Sequence, residues 1–290
     1  MNPRRVLVTG ADGQLAHYVA RAFAGSDAGS EVVALNRRAL DITDPAAVAR
    51  AVADAAPDLV VNCAAFNDVD GAEDRPEQAL AVNAFAVRSL ALASEQAGAT
   101  LVHYSTDFVF DGHRAGEPYT ESDAPAPRST YASSKLMGEW FALDAPRAYV
   151  LRVESLFGSP EGWTGRRGTL DAIRSGLRDG REVRVFTDRV VSPSYTPDIA
   201  EATRHLVTSG AEPGLYHCVN SGQATWEQVA LECARLLGVE PVLQRTTSDK
   251  VILKAARPTY CALSPRKLAA AGFPMPAWQD ALARWLRATN

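Results

Sequence analysis

Val6-Leu7-Val8-Thr9-Gly10-Ala11-Asp12-Gly13-Gln14-Leu15-Ala16 is the stretch on which the fold turns. Its apolar, partly β-branched run reads as a buried strand. The two glycines read as a tight turn, and Gln14 opens a helix. Gly10 lets the backbone reverse. Gly13 lets an anion approach free N–H groups at the helix N-terminus, where the helix dipole favours negative charge. Ala16 is a third small position that permits close packing of helix on strand. The spacing is G-x-x-G-x-x-A, and it is specific only because it follows the first strand of an alternating chain. Gly10, Asp12, Gly13, Gln14 and Leu15 are therefore expected around a dinucleotide pyrophosphate.

The alternation continues outward from that turn. Strands are predicted over 5–9, 31–35, 58–62, 100–104 and 148–153, and helices over 14–23, 46–55, 76–97 and 131–143. Apolar strands separated by helices give a parallel sheet covered on both faces. The predicted fold is thus α/β: a Rossmann-type doubly wound parallel sheet with a smaller α/β C-terminal substrate domain. Residues 1–153 would bind the dinucleotide and 154–290 mainly the substrate. The rhythm loosens after 154: 162–168 reads as a loop, with helices at 170–177, 198–208, 226–237 and 278–288 and strands at 182–186 and 214–219. No clean linker separates the halves, so the second is expected to interleave with the first.

Composition excludes several classes. With 47% hydrophobic and 22% charged residues the chain can build a core. A net charge of -4 argues against a nucleic-acid partner. No apolar run reaches the roughly 18 residues of a membrane span, and the N-terminus lacks a signal-peptide core, so a cytoplasmic, membrane-free protein is expected. Cys63, Cys218, Cys233 and Cys261 lack C-x-x-C spacing and read as reduced thiols, and no metal site is expected.

After strand two the chain reads Asn36-Arg37-Arg38, with no carboxylate for the ribose hydroxyls. Two arginines suit a 2′-phosphate, so NADPH is the expected cofactor and NADH the alternative. Asp41 and Ile42 are expected beside the adenine. Further on, Tyr131 and Lys135 share one face of a helix. Lys135 is the one lysine in the first 249 residues of an arginine-rich chain. A fixed ammonium lowers the pKa of a neighbouring phenol and fits it for acid–base work near neutrality. The strand end Ser105-Thr106-Asp107-Phe108 offers hydroxyls to polarise a substrate carbonyl.

Taken together, these stretches resemble the extended short-chain dehydrogenase/reductases, and among them most closely the dTDP-4-dehydrorhamnose reductases. The similar segments are VTGADGQLA at 8–16, LDITD at 40–44, NCAAFNDVD at 62–70, AVNA at 81–84, STDFVFDG at 105–112, YASSK at 131–135, SPSY at 192–195 and ARP at 256–258. The resemblance implies NAD(P)H-dependent reduction of a 4-keto group on a nucleotide-activated deoxysugar. It implies Tyr131 as proton donor, Lys135 as its partner and Thr106 as the holder of the keto oxygen. It further implies Cys63, Ala64, Ala65 and Asn83 on the cofactor side, and Val69, Asp107, Phe108, Ser155 and Arg257 on the substrate side.

Three departures stand against the family pattern. Phe108 occupies a position that usually carries Tyr. Arg152-Val153-Glu154-Ser155 lacks the usual Trp, and Trp163 is close in sequence but out of register. Some members bridge a dimer with Mg²⁺ held by carboxylates, one of them just after the glycine turn. Ala16-His17-Tyr18 offers none, so a homodimer would form without a metal. Two alternatives stay open: a related reductase or epimerase acting on another carbonyl substrate in secondary metabolism, and a non-catalytic NADP-binding regulatory subunit.

Overall fold

The computed structural model describes residues 3–25, 29–114, 116–160, 163, 165 and 168–289. The first half runs β1 (Arg5–Thr9), α1 (Gln14–Ala24), β2 (Glu31–Leu35), α2 (Pro45–Ala55), β3 (Leu59–Asn62), α3 (Val69–Asp74), α4 (Pro76–Leu80), a π-helical turn (Ala81–Phe85), α5 (Ala86–Gln96), β4 (Thr100–Thr106), α6 (Thr130–Leu143) and β5 (Ala148–Val153). The second half runs β6 (Leu156–Phe157), α7 (Thr169–Arg178), β7 (Val183–Phe186), β8 (Val190–Val191), β9 (Ser194–Tyr195), α8 (Thr196–Ser209), β10 (Gly214–His217), β11 (Ala224–Thr225), α9 (Trp226–Leu237), β12 (Leu243–Thr246), α10 (Arg266–Ala270) and α11 (Trp278–Ala288).

Six strands form one parallel sheet in the order β10-β5-β4-β3-β1-β2. Strand residues alternate between its faces. Val6 and Val8 pack with Val19 and Phe23 of α1 and Ile199 and Leu206 of α8. Leu7, Val60 and Leu101 pack on the other face with Val48 of α2 and Leu90 of α5. Because β2 lies on one side of β1 and the later strands on the other, connections leave in opposite directions beside β1. A crevice opens there at the carboxyl ends of the strands, where α/β sheets bind ligands. The register brings those ends level: Thr9 lies beside Asn62, Asn62 beside His103, and Thr106 beside Val153.

The residues after 153 do not stand apart, because β10 pairs with β5 as the sixth strand of the main sheet. A second apolar cluster joins Phe157, Leu170, Ile173, Trp226, Val229 and Trp285 from α7, α9, α11 and the short strands between them. Asp198 of α8 and Arg284 of α11 tie the two clusters with two 2.7 Å hydrogen bonds. Of the loop expected at 162–168, only 163, 165 and 168 lie among the described residues. The helix expected over 76–97 is interrupted by the π turn, and α3, β12 and α10 had no strong periodic signal. Among the described residues the four cysteines are free, and no helix is long and apolar enough to cross a membrane.

Candidate active site

Gly10 has φ +68°, and a side chain there would bring its Cβ to 2.6 Å from the backbone nitrogen of Ala64. The glycine turn therefore packs directly on the loop leaving β3, which no larger residue would permit. At Gly13 a Cβ would meet the Gly10 carbonyl at 3.0 Å. Gly13 caps α1 with no side-chain hydrogen bond, so the first N–H groups of the helix stay available. That uncapped, side-chain-free cradle fits a pyrophosphate.

Beside it, Asn36 donates to Asp12 Oδ1 at 3.2 Å, while its own Oδ1 accepts from the backbone of Arg38 and Ala39. The turn leaves Arg37 and Arg38 exposed at the end of β2 and buries Ile42 beneath it. The Asp41 carboxyl is held below the usual range chiefly by the Thr43 hydroxyl and N–H. Gly10, Asp12, Asn36, Arg37, Arg38, Asp41 and Ile42 do not line the cavity itself.

The cavity itself measures about 560 Å³. Gly13, Gln14 and Leu15 line it from α1, and Cys63, Ala64 and Ala65 from the loop after β3. Val69, Thr106, Asp107, Phe108, Tyr131 and Lys135 line its inner part. Ser155 and Arg257 close the far side. Most expected site residues therefore meet in one space.

Asn83 does not join them. Its amide sits in the π turn, accepting from Phe66 N at 2.8 Å and donating to Phe66 O and Ser134 Oγ. It fastens α6 to the loop before α3 instead of reaching the cavity.

Helix α6 carries both Tyr131 and Lys135. Ser129 caps it by accepting from Ala132 N, and Glu73 of α3 accepts from Thr130 N and Oγ1 at 2.8 and 2.9 Å. Tyr131 then faces the cavity, with the Phe108 ring edge-on at 6.0 Å between centroids. One turn later Lys135 donates to the Tyr104 carbonyl at 2.6 Å. Burial pushes the ammonium down to about 8, opposed by the Glu139 carboxylate. Glu139 accepts from Arg152 Nε and Nη2 at 2.8 and 2.7 Å and from Ser105.

The phenol of Tyr131 lies above its ordinary value, not below it as the pairing predicts. Burial is the first cause, the Asp107 charge the second, and only the Thr106 hydroxyl opposes them. Lys135 directs its charge at a carbonyl of β4. A protonated phenol is the form a proton donor needs.

Beyond Thr106 the floor is acidic. Thr106 Oγ1 donates to Asp107 Oδ1 at 3.0 Å. Ser192 N donates to Glu154 Oε2 at 2.7 Å. Burial pushes Asp107 up to about 7 and Glu154 well above the carboxylate range. Arg189 and Arg257 line the same side, Arg257 donating to Asp70 at 3.0 Å. Trp163, out of register in sequence, lines the cavity together with Trp226. Glu139, Glu154 and Arg189 were missed by sequence reasoning. The four-residue step Tyr131-Lys135-Glu139 was a usable signal for the first; the other two have none in a single chain.

The Mycobacterium tuberculosis dTDP-4-dehydrorhamnose reductase is 39% identical over 98% of this chain and 93% of its own length. A probable dTDP-4,6-dihydroxy-2-methyloxan-3-one 4-ketoreductase of Streptomyces antibioticus is 38% identical over 96% of this chain and 93% of its own length. Among solved structures, the Bacillus anthracis dTDP-4-dehydrorhamnose reductase in complex with NADP superimposes with a TM-score of 0.90 at 29% identity, covering 98% of this chain and 99% of that one. The RmlD substrate binding domain family matches residues 4–290, and the chain that builds this glycine turn and cavity belongs to that family.

Proposed function

We propose that the protein reduces the 4-keto group of a nucleotide-activated deoxysugar, dTDP-4-dehydrorhamnose first among them, with NADPH. The observation that carries this reading is the convergence of Tyr131, Thr106 and Lys135 on one cavity that opens at a side-chain-free helix N-terminus. When bound, the dinucleotide supplies a hydride. Gly10 and Gly13 leave room for its pyrophosphate at α1, and Arg37 and Arg38 offer charge to a 2′-phosphate at the end of β2. Thr106 holds the keto oxygen, and Tyr131 gives it a proton as negative charge develops there. Lys135, fixed on the Tyr104 carbonyl, sets a buried positive charge on the same cavity one helical turn from the phenol. The raised phenol supports this direction of transfer, since the acid stays loaded at neutral pH.

The test is NADPH oxidation with a panel of nucleotide 4-ketosugars. Tyr131→Phe is expected to lower kcat roughly a hundredfold, the loss of a positioned general acid, with NADPH binding little changed. A variant keeping more than about a third of wild-type kcat would remove Tyr131 from the donor role. A second reading, a different 4-ketosugar, is favoured by Phe108 beside the phenol and Ser155 on the cavity wall. The same panel decides between them.

A further inference from the structure

Glu154 and Asp107 are 2% and 4% exposed, yet Glu154 Oε1 and Asp107 Oδ2 have no hydrogen-bond partner. Carboxyl oxygens of the two residues and the sulfur of Cys261 lie within 4.8 Å of one another. Two buried carboxylates so close cannot both stay ionised, and the stable state holds one proton between them. The backbone is shaped for this. Ser155 has φ +45°, a strained conformation for a residue other than glycine, and it directs both Glu154 and Ser155 at the cavity.

The pair is also wired to the proton donor. Asp107 accepts from Thr106, and the Thr106 hydroxyl is near enough to the Tyr131 phenol to hold it down against burial, both side chains lining the cavity. We propose that Asp107 and Glu154 are positioning residues that share one proton and resupply Tyr131 through the Thr106 hydroxyl.

This rests on the ketoreductase reading above. Tyr131 loses its O–H proton to the substrate oxygen, the resulting phenolate takes the Thr106 hydroxyl proton, and Thr106 takes the proton of the acid pair. The pair recovers a proton from water. One O–H bond breaks and one forms at each step, and no electrons pass along the chain. Other groups bias it. Arg189 and Cys261 face Asp107, and Ser192, Cys261 and Tyr260 face Glu154. Arg257 lies beside Arg189. Burial raises both carboxyls, in keeping with a retained proton near neutrality.

Two measurements on the full chain test this. Infrared spectroscopy at pH 7 should show a protonated carboxyl band in the wild type that Glu154→Gln weakens and shifts, because it removes the carboxyl that burial holds further above the carboxylate range, and that Asp107→Asn shifts without abolishing, because the proton then stays on Glu154. In the pH profile of kcat, Glu154→Gln should move the alkaline limb about one pH unit lower. A wild type without the band would overturn the proposal. So would a band left unchanged by both variants, a limb that stays in place while KM rises, or a stoichiometric divalent cation in the purified protein. A wild type that turns over no ketosugar sinks the functional reading, and the infrared arm still reports on the pair.

Discussion

The ammonium of Lys135 is almost fully buried, donates to Tyr104 O, and has Glu139 one turn further along α6. Burial lowers it from 10.5 to about 8. An amine whose folded value is depressed binds fewer protons than the unfolded chain between those two values. Stability therefore rises with pH from about 8 to 10.5, and below 8 the buried charge costs about 3 kcal/mol at full value. Lys135→Met should abolish turnover yet stabilise the ligand-free protein at pH 7 by about 1–3 kcal/mol, the lost hydrogen bond offsetting part of the gain. Urea unfolding at pH 7 and pH 10 checks it: the advantage should shrink at the higher pH. A destabilised variant at pH 7 would mean that the hydrogen bond outweighs desolvation.

At the scale of elements, the contact of α6 with the π turn is decided by one missing side chain. A Cβ on Gly138 would stand 2.1 Å from the Asn83 carbonyl oxygen and 3.3 Å from His103 Nε2. The obstacle is backbone, so it cannot rotate away. Gly138→Ala should destabilise the protein by about 1–3 kcal/mol by overpacking, although alanine favours helices elsewhere. It should also lower kcat more than it raises KM, because α6 carries both Tyr131 and Lys135. A neutral melting temperature would show that the π turn yields.

The same region marks the limit of what the chain discloses by itself. The β1 turn was legible because its requirements are local: a strand, a glycine with positive φ, an uncapped helix. Tyr131 and Lys135 were legible because four residues make one helical turn. Asn83 was placed at the cofactor because its motif was visible but its π turn was not. That turn is specified by close packing against Gly138, a contact between residues far apart in sequence. Glu154 reads as an ordinary polar residue after a strand. Only the register of β4 with β5 brings it near Asp107.

Over the whole molecule, α6, β5 and β10 are fastened by one buried polar chain. Glu139 holds Arg152, and Arg152 Nη1 lies 3.4 Å from His217 Nε2. The other ring nitrogen of His217 lies 3.1 Å from the Tyr119 carbonyl, so a neutral ring donates there. Burial first, and Arg152 second, push His217 down to about 3. Since the unfolded histidine takes its proton near 6.5, the stability it lends is complete above that pH and drains away towards 3, by about 5 kcal/mol at most. His217→Gln should flatten the acid-unfolding curve between pH 6 and 4 while costing some stability at pH 7. An unchanged slope would point to the carboxylates instead.

The strand that carries His217 also sets an order of events. It pairs with β5, yet His217 stands 65 positions after Arg152 in the chain. A growing polypeptide thus exposes β5 as a bare parallel edge, its Arg152–Glu139 pair open to water, until that distant segment emerges. Parallel sheets closed by remote strands form slowly, and open edges invite pairing with other chains. The sheet is therefore complete only when β10, the later of its two edge strands in the chain, covers β5.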